Sequence, residues 1–105
     1  MRFGSLVLAM GIGLALGQSK PDPSKGNEVF DEQCSGCHYA DREERKVGPG
    51  LKWLFVKGKL DSNGKAVADA SVLEILSKGS KGMPGFEKAL SEQDKVDLLA
   101  YLKTL

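Results

Sequence analysis

Side chains that bind transition metals are scarce in this chain of 105 residues, which has one histidine and two cysteines. A structural zinc site usually needs about four such ligands, so zinc binding is disfavoured. Excess charge of either sign is also missing, with 15 Lys and Arg against 14 Asp and Glu. Nucleic-acid binding usually needs clustered positive charge, and the balance argues against it. The sequence has no glycine-rich phosphate loop and no nucleophile–base pair, so we expect that the protein is not an enzyme.

Both cysteines and the histidine lie in one short motif, Cys34-Ser35-Gly36-Cys37-His38. Its C-x-x-C-H spacing is typical of a covalent haem attachment site. On one turn of helix this spacing puts both sulfurs on the same side, where they can form thioethers with two vinyl groups of one porphyrin. His38 would follow beneath the ring and bind the iron. A redox dithiol, half a zinc site and a structural disulfide are the alternatives, although no β–α–β pattern of the thioredoxin kind surrounds the motif.

The first 17 residues have the layout of a secretory signal peptide. Arg2 supplies the positive start, residues 3–16 form an uncharged apolar run, and small residues stand at Ala15 and Gly17. We expect cleavage after Gly17, which assigns residues 1–17 to the signal peptide and 18–105 to one domain. The alternative is an uncleaved N-terminal membrane anchor, although the run is shorter than the about 20 residues of a comfortable span. We therefore expect a periplasmic or otherwise exported protein without a membrane span after cleavage.

The mature chain offers few choices for a second axial ligand of the iron. Removal of residues 1–17 leaves one histidine, His38, and one methionine, Met83. The position opposite His38 would therefore be taken by Met83, a lysine, a tyrosine, water or nothing. Met83 is surrounded by glycines and a proline, which predict a turn-rich loop. A methionine in such a loop is poorly placed for the core, which favours a ligand over the alternative of a gap-filling core residue.

This ordered set of motifs resembles the small monohaem c-type cytochromes of class I. The resemblance extends from about Ser24 to Leu105 and is carried by these residues: Gly26, Phe30, Cys34, Ser35, Gly36, Cys37, His38, Gly48, Pro49, Gly50, Leu51, Gly82, Met83, Pro84, Gly85, Phe86, Leu98, Tyr101 and Leu102. It implies an all-α, cytochrome c-like fold, in which three main helices surround one covalently bound haem c and the N-terminal and C-terminal helices cross. It also implies transfer of single electrons between redox partner proteins.

The resemblance also gives roles to Pro49 and Leu51. A histidine that binds a metal usually donates its other ring nitrogen to a carbonyl or a carboxylate. In the resembled family the acceptor is the proline carbonyl of a Gly-Pro-x-Leu segment, which here is Pro49, and Leu51 would pack on the same face of the haem. The alternative is that Gly48-Pro49-Gly50 is merely a turn.

Capping signals predict the ends of the two crossing helices. Ser24 is the expected N-cap of a first helix that continues to about Gln33. In the resembled family Gly26 lets the last helix approach closely. That last helix is expected to begin after Ser91, which forms a capping box with Asp94 three residues later. Apolar residues on most of its faces indicate contacts with both the first helix and the haem.

A third helix is predicted from Ser71 to Lys78, with Ser71 and Glu74 as a capping box and Gly79 at its end. We expect Trp53 to be a core or haem-edge residue. The charged residues from 39 to 46 nearly cancel, and we assign them no site. Residues 57–69 are expected to form a surface loop with a tight turn at its Asn-Gly pair. A local basic rim near the haem edge is considered for four lysines: Lys57, Lys59, Lys78 and Lys81.

The predicted function is that of a monomeric periplasmic electron carrier with His38 and Met83 as axial ligands. One alternative is a haem subunit of a larger oxidase or dehydrogenase, and another is a haem enzyme or sensor with an open sixth coordination site. A chain this short rarely builds a sufficient core by itself. We therefore also expect the haem-free protein to be poorly folded.

Overall fold

The computed structural model describes residues 20–105, so the predicted signal peptide lies outside the described residues. This range contains the following helices: α1 Pro23–Gln33, α2 Leu54–Lys57, α3 Asp69–Lys78 and α4 Glu92–Leu102. Its β-structure is limited to two isolated antiparallel bridges, Lys59–Ala66 and Ser80–Met83. The predicted all-α class is confirmed, and α1, α3 and α4 correspond to the three predicted helices. The single turn of α2 was not predicted.

The N-cap of helix α1 lies two residues before the predicted one. The carboxylate of Asp22 accepts hydrogen bonds from the backbone N–H groups of Ser24, at 2.9 Å, and Lys25, at 3.4 Å. Pro23 occupies the first helical position. Proline suits that position because its fixed φ is helical and the missing N–H would have no partner there. Asp22 is therefore the N-cap, and the assignment of Ser24 was wrong.

The crossing of α1 and α4 is confirmed, and it is closest at Gly26. A Cβ atom added to Gly26 would lie 2.6 Å from the carbonyl carbon of Asp97 and 2.7 Å from the Cβ of Tyr101. One turn further along α1, Phe30 is buried, and its ring centroid lies 5.6 Å from that of Tyr101. The absent side chain therefore lets the two backbones touch, and the tilted aromatic pair packs beside the contact.

Helix α4 begins as predicted, but its buried residues include two charged side chains that were not expected there. Ser91 and Asp94 form a full capping box, in which each side chain accepts the other residue's backbone N–H at 3.0 Å. Leu98 is fully buried, yet Lys95 and Asp97 are also buried, with 5% and 3% of their surface exposed. Apolar spacing alone would have placed neither charge inside the fold.

Each of these buried charges has partners. The carboxylate of Asp97 accepts the backbone N–H of Asp22 at 2.9 Å and the side-chain amide of Gln93 at 2.9 Å. The ammonium of Lys95 donates to the hydroxyl of Ser77 at 3.2 Å and to a carboxylate at 3.3 Å. Buried charges are tolerated when they are hydrogen-bonded. The two side chains therefore tie α4 to the start of α1 and to α3.

Helix α3 also starts two residues earlier than predicted, with Ala68 as its N-cap. Ser71 lies inside the helix, where its hydroxyl accepts the backbone N–H of Ala68 at 3.0 Å. Glu74 does not complete a capping box with Ser71, and it binds Lys65 at 3.0 Å instead. The hydrogen bond and charge of Lys65 lower the pKa of Glu74. The end of the helix at Gly79, which has φ 81°, is confirmed.

The segment around α2 departs most from the predictions. Trp53 was predicted to lie in the core or at the haem edge, and its 46% exposure excludes the core. Its φ of 63° lies in the left-handed region, which costs a residue with a Cβ roughly 1–2 kcal/mol. The loop from 57 to 69 turns at Gly64, with φ 70°, and closes through the bridge from Lys59 to Ala66. It is not wholly a surface loop, since Leu60 is buried in the core.

Candidate haem site

A cavity of about 630 Å³ opens among α1, α3, α4 and the loops that connect them. Cofactor pockets commonly have volumes of about 300–1,000 Å³. Every residue that the sequence assigned to a haem or iron site lies on the wall of this one cavity: Cys34, Cys37, His38, Pro49, Leu51 and Met83. These residues come from three distant parts of the sequence, and the fold brings them together.

The two cysteines lie at the end of α1, where Cys34 is the C-cap. Cys34 is buried and Cys37 is exposed, and neither forms a disulfide. The backbone N–H groups of Cys37 and His38 both donate to the carbonyl of Cys34 at 3.0 Å, which continues the turn. Burial, with a smaller effect of Cys37, raises the pKa of the Cys34 thiol to about 11. Reactive redox dithiols have lowered thiol pKa values, so this environment disfavours the redox-dithiol alternative.

The ring of His38 is oriented by a backbone carbonyl. Its Nδ1 lies 2.8 Å from the carbonyl oxygen of Pro49, which is the hydrogen bond that the resemblance implied. A carbonyl can only accept, so the proton of this bond is on Nδ1. In the neutral ring Nε2 is then the nitrogen with a free lone pair, which is the form that a metal requires.

The segment Gly48-Pro49-Gly50 lies too close to its neighbours to carry side chains at its glycines. A Cβ at Gly48 would lie 2.9 Å from Nδ1 and 3.0 Å from Nε2 of His38. A Cβ at Gly50 would lie 2.6 Å from the carbonyl oxygen of Glu44. The backbone N–H of Gly48 donates to the carbonyl of Cys37 at 2.8 Å. The segment is therefore packed directly against the histidine ring and the turn that carries it.

Met83 lies on the predicted loop between α3 and α4, and its side chain is half-buried. Ser80 and Met83 exchange two backbone hydrogen bonds, of 3.1 and 2.6 Å. The loop turns at Gly79 and Gly82, whose φ angles are 81° and 86°. The hydroxyl of Ser80 also donates to that of Ser62 at 2.9 Å, which joins this loop to the one after α2. Met83 is thus held at the cavity by a short closed turn.

Three charged residues on the cavity wall, Glu43, Arg45 and Asp61, were missed by the sequence reasoning. Glu43 and Arg45 belong to the charged segment to which no site was assigned, yet both line the cavity. Glu43 pairs with Lys57 at 3.1 Å, and Arg45 pairs with Asp61 at 3.1 Å. The pairing joins segments 14 and 16 residues apart, so no local pattern of charge could have revealed it. Exposed pairs of this kind stabilise a fold by about 0–1 kcal/mol each.

The lysines considered for a basic rim divide into two groups. Lys57, Lys59 and Lys81 line the cavity, whereas Lys78, at the end of α3, is not among its lining residues. Lys57 is neutralised by its pair with Glu43. The cavity edge therefore has a smaller positive charge than the sequence suggested.

Residues 21–102 match the family model described as Cytochrome C oxidase, cbb3-type, subunit III. Cytochrome c from Tetrahymena pyriformis is 30% identical to this chain over 99 residues, which cover 80% of this chain and 89% of the relative. The chain belongs to the c-type cytochromes. Cytochrome c6 from Synechocystis is 31% identical over 81 residues, covering 77% of this cytochrome and 63% of the relative. The cytochrome c subunit of 4-cresol dehydrogenase from Pseudomonas putida is 27% identical over 103 residues, covering 95% and 79%.

A solved structure has the same fold as this cytochrome. It is cytochrome c6 from the diatom Phaeodactylum tricornutum, with a TM-score of 0.63 and 21% identity, covering 79% of this cytochrome and 92% of that chain. The predicted cytochrome c-like fold and the small monohaem c-type family are confirmed. As a member of this electron-transfer family, the cytochrome binds haem c covalently.

The donor set on the cavity wall fits that cofactor. Two thiols are the groups that covalent attachment of haem c uses, and an imidazole and a thioether are among the groups that can bind its iron; all four lie on the same cavity. Among residues 20–105, no helix of this cytochrome combines the length and the apolar character of a membrane span.

Proposed function

We propose that this cytochrome is a periplasmic carrier that shuttles single electrons between redox partner proteins, diffuses as a monomer and has no enzymatic activity. Cys34 and Cys37 would form the thioethers, His38 and Met83 would be the axial ligands, and Pro49 would orient His38. Leu51 would pack against the haem. The observation that supports this proposal most strongly is the meeting of all six residues on one cavity wall.

The Pro49 carbonyl does the main orienting work in this proposal. Its oxygen lies 2.8 Å from Nδ1 of His38 and holds the proton on that nitrogen. Nε2 therefore stays available for the iron, and the imidazole becomes a more basic ligand. The absent side chain of Gly48 leaves room for the ring in this orientation. The short turn closed by the backbone hydrogen bonds of Ser80 and Met83 would hold the thioether in place as the other axial donor.

Bound haem c supplies an iron that takes up and releases one electron at a time. A thioether opposite an imidazole favours the reduced state, which raises the reduction potential relative to two histidines. With both His38 and Met83 bound to the iron, no coordination position would be left for a substrate. The residues of this chain therefore suit electron transfer better than catalysis.

The carrier proposal is tested with the purified holoprotein. We expect the ferrous form to be oxidised by membranes from the source cells, and to bind neither carbon monoxide nor peroxide at its iron. Rapid carbon monoxide binding by the wild type would instead indicate an open sixth site, as in a haem enzyme or sensor. The mass of the exported protein tests the assignment of residues 1–17 to a signal peptide, because cleavage after Gly17 leaves residues 18–105 plus one haem.

A second candidate function is that of a haem subunit in a larger oxidase or dehydrogenase. The description of the matching family model names an oxidase subunit, and one relative is a dehydrogenase subunit. Gel filtration of gently solubilised source cells separates the two candidates. A free carrier elutes alone at the size of a monomer, whereas a subunit elutes at a fixed ratio with a larger complex.

A further inference from the structure

The charged segment 41–46 consists of six ionisable residues, and five of them take part in ion pairs. The pairs are Arg42 with Asp41 and Glu44, Glu43 with Lys57, and Arg45 with Asp61. The sixth residue is Lys46. Among residues 20–105, none of the ion pairs includes its ammonium. Lys46 therefore carries a positive charge that no neighbouring carboxylate neutralises.

The ammonium of Lys46 is held by two uncharged groups instead. It donates a hydrogen bond to the carbonyl oxygen of Ser35 at 2.9 Å. It also lies 4.9 Å from the centre of the Tyr39 ring, whose face attracts cations. The guanidinium of Arg42 lies 4.4 Å from the same ring, but its charge is balanced by its two ion pairs. The charge of Lys46 is thus fixed in place without being cancelled.

Backbone contacts hold the same residue close to the C-x-x-C-H motif. We call residues 34–38 the attachment turn. The backbone N–H of Lys46 donates to the carbonyl of Gly48 at 2.9 Å, and the N–H of Gly48 donates to the carbonyl of Cys37 at 2.8 Å. Side chain and backbone of Lys46 are therefore both linked to the attachment turn, although eight residues separate Lys46 from the end of that turn.

The end of α1 explains why a cation is favoured at this place. The last carbonyl groups of a helix have no partners inside the helix and carry partial negative charge. The last turn of α1 contains no basic residue, and its charged side chains are the acidic Asp31 and Glu32. Lys46 approaches from outside the helix and supplies the missing cation at the carbonyl of Ser35.

The attachment turn separates the ammonium from the haem cavity. Cys34 and Cys37 line the cavity, whereas Ser35 and Lys46 do not. The charge therefore lies behind the short turn that carries both thiols. Reduction adds one negative charge to a haem, so a fixed cation nearby favours the reduced state. Such a field is screened less through protein than through water.

We propose that Lys46 raises the reduction potential of the haem, through a positive charge that the Ser35 carbonyl and the Tyr39 ring hold behind the attachment turn. The inference rests on the proposed function, which assigns Cys34 and Cys37 to the thioethers. Reduction takes one electron from a redox partner, forms and breaks no bond, and leaves the ammonium protonated in both states. The effect of Lys46 is therefore purely electrostatic.

The test is a spectroelectrochemical titration of the purified holoprotein. Lys46→Gln removes the charge, and Lys46→Met removes both the charge and the hydrogen-bond donor at a similar side-chain length. At low salt and a fixed ambient potential, we expect each variant to lower the ratio of ferrous to ferric protein about threefold. This corresponds to about 28 mV, since a tenfold change is about 59 mV for one electron. The difference should shrink as salt is added, because salt screens exposed charges.

Two substitutions provide matched controls. Lys46→Arg keeps the charge and a donor, so it should keep the wild-type potential. Lys25→Gln removes the same charge near the start of α1, at the far end of the helix from the attachment turn, and should also keep that potential. The long-wavelength sulfur-to-iron band should be unchanged in every variant, because none of them alters an axial ligand.

The outcomes separate this inference from the carrier function. Wild-type potentials in Lys46→Gln and Lys46→Met would overturn the role of Lys46 and leave the carrier function standing. An equal shift in Lys25→Gln would assign the effect to net charge, and a salt-independent shift or an altered band would assign it to a displaced haem. Either result overturns the inference.

The haem content of the preparations completes the test. If neither neutral variant carries haem while Lys46→Arg does, the residue serves attachment and the inference is overturned. If the mass of the wild type shows no covalent haem, the proposed function fails and the inference fails with it.

Discussion

The ring of His38 lies so close to Gly48 that any side chain at Gly48 would collide with it. A Cβ at that position would approach Nδ1 to 2.9 Å and Nε2 to 3.0 Å. The neighbouring carbonyl of Pro49 accepts the Nδ1 proton. One short segment therefore fixes both the position and the protonation of the imidazole.

We expect Gly48→Ala to displace the ring and weaken its hydrogen bond to Pro49. Forcing a methyl group into such a site typically costs about 1–3 kcal/mol of folding free energy. Urea denaturation and the ferric absorption spectrum of the holoprotein measure the two effects. Gly36→Ala is the matched control, because a Cβ there meets no atom within 4 Å. Equal behaviour of both variants would contradict the assigned role of Gly48.

Substitution of Met83 tests the second axial ligand. Met83→Leu keeps a similar apolar volume and removes the sulfur, so we expect loss of the weak long-wavelength sulfur-to-iron band and appearance of a high-spin ferric signal. Met83→His restores a nitrogen ligand and should lower the reduction potential relative to the wild type. A spectrum of Met83→Leu identical to that of the wild type would exclude Met83 as the ligand.

The buried carboxylate of Asp97 is expected to stabilise the crossing of α1 and α4. Asp97→Ala removes the charged acceptor of the part-buried hydrogen bond from the backbone N–H of Asp22, and a hydrogen bond to a charged group typically contributes about 1.5–3 kcal/mol. Asp97→Asn keeps an oxygen in place and should cost less. Chemical denaturation of the holoproteins measures this order. Because Asp97 does not line the haem cavity, both variants should keep the wild-type spectrum.

The alkaline stability of the fold should depend on Tyr101. Burial raises the pKa of its phenol, and the charges of Asp31 and Asp41 add to the shift. A raised pKa means that the unfolded chain loses the proton first, so the contribution of the neutral phenol is complete below the unfolded pKa near 10 and is lost as the pH rises through the folded value. Denaturation at a series of pH values should show a steeper alkaline loss for the wild type than for Tyr101→Phe, which carries no ionisable group. Parallel curves would contradict this prediction.

Removal of the haem is expected to unfold much of the domain. The Cys34→Ala, Cys37→Ala double variant cannot form thioethers, and a cavity of about 630 Å³ would then lie open at the centre of a small core. We expect a clear loss of helical circular dichroism relative to the holoprotein. Proton NMR gives the decisive check, since dispersed, sharp signals from the haem-free chain would refute the expectation.

Local chemistry explains what the sequence predicted well. The capping box of Ser91 and Asp94 involves two residues three positions apart, and the end of α3 at Gly79 requires only a backbone that favours positive φ. The N-cap of α1 was assigned to Ser24 and not to Asp22, although Pro23 marks the first helical position. Had the preference of proline for that position been applied, Asp22 would have been recognised as the N-cap.

The parts that could not be predicted depend on contacts between distant segments. Glu43 on the cavity wall forms an ion pair with Lys57, which is 14 residues away in the sequence. The buried ammonium of Lys95 donates a hydrogen bond to Ser77 on another helix. Trp53 is exposed and has a left-handed backbone, and no sequence pattern signals either feature for a tryptophan. By contrast, the site residues could be named from the sequence because covalent attachment requires its cysteines and histidine in one contiguous motif.

The hydrogen bond from Asp22 to Asp97 joins residues 75 positions apart. Among the described helices α1 packs mainly on α4, near the other end of the domain, and closing so long a loop early is entropically unfavourable. We therefore expect the nascent chain to stay largely unfolded until its last helix has been synthesised, a state that is compatible with the proposed export.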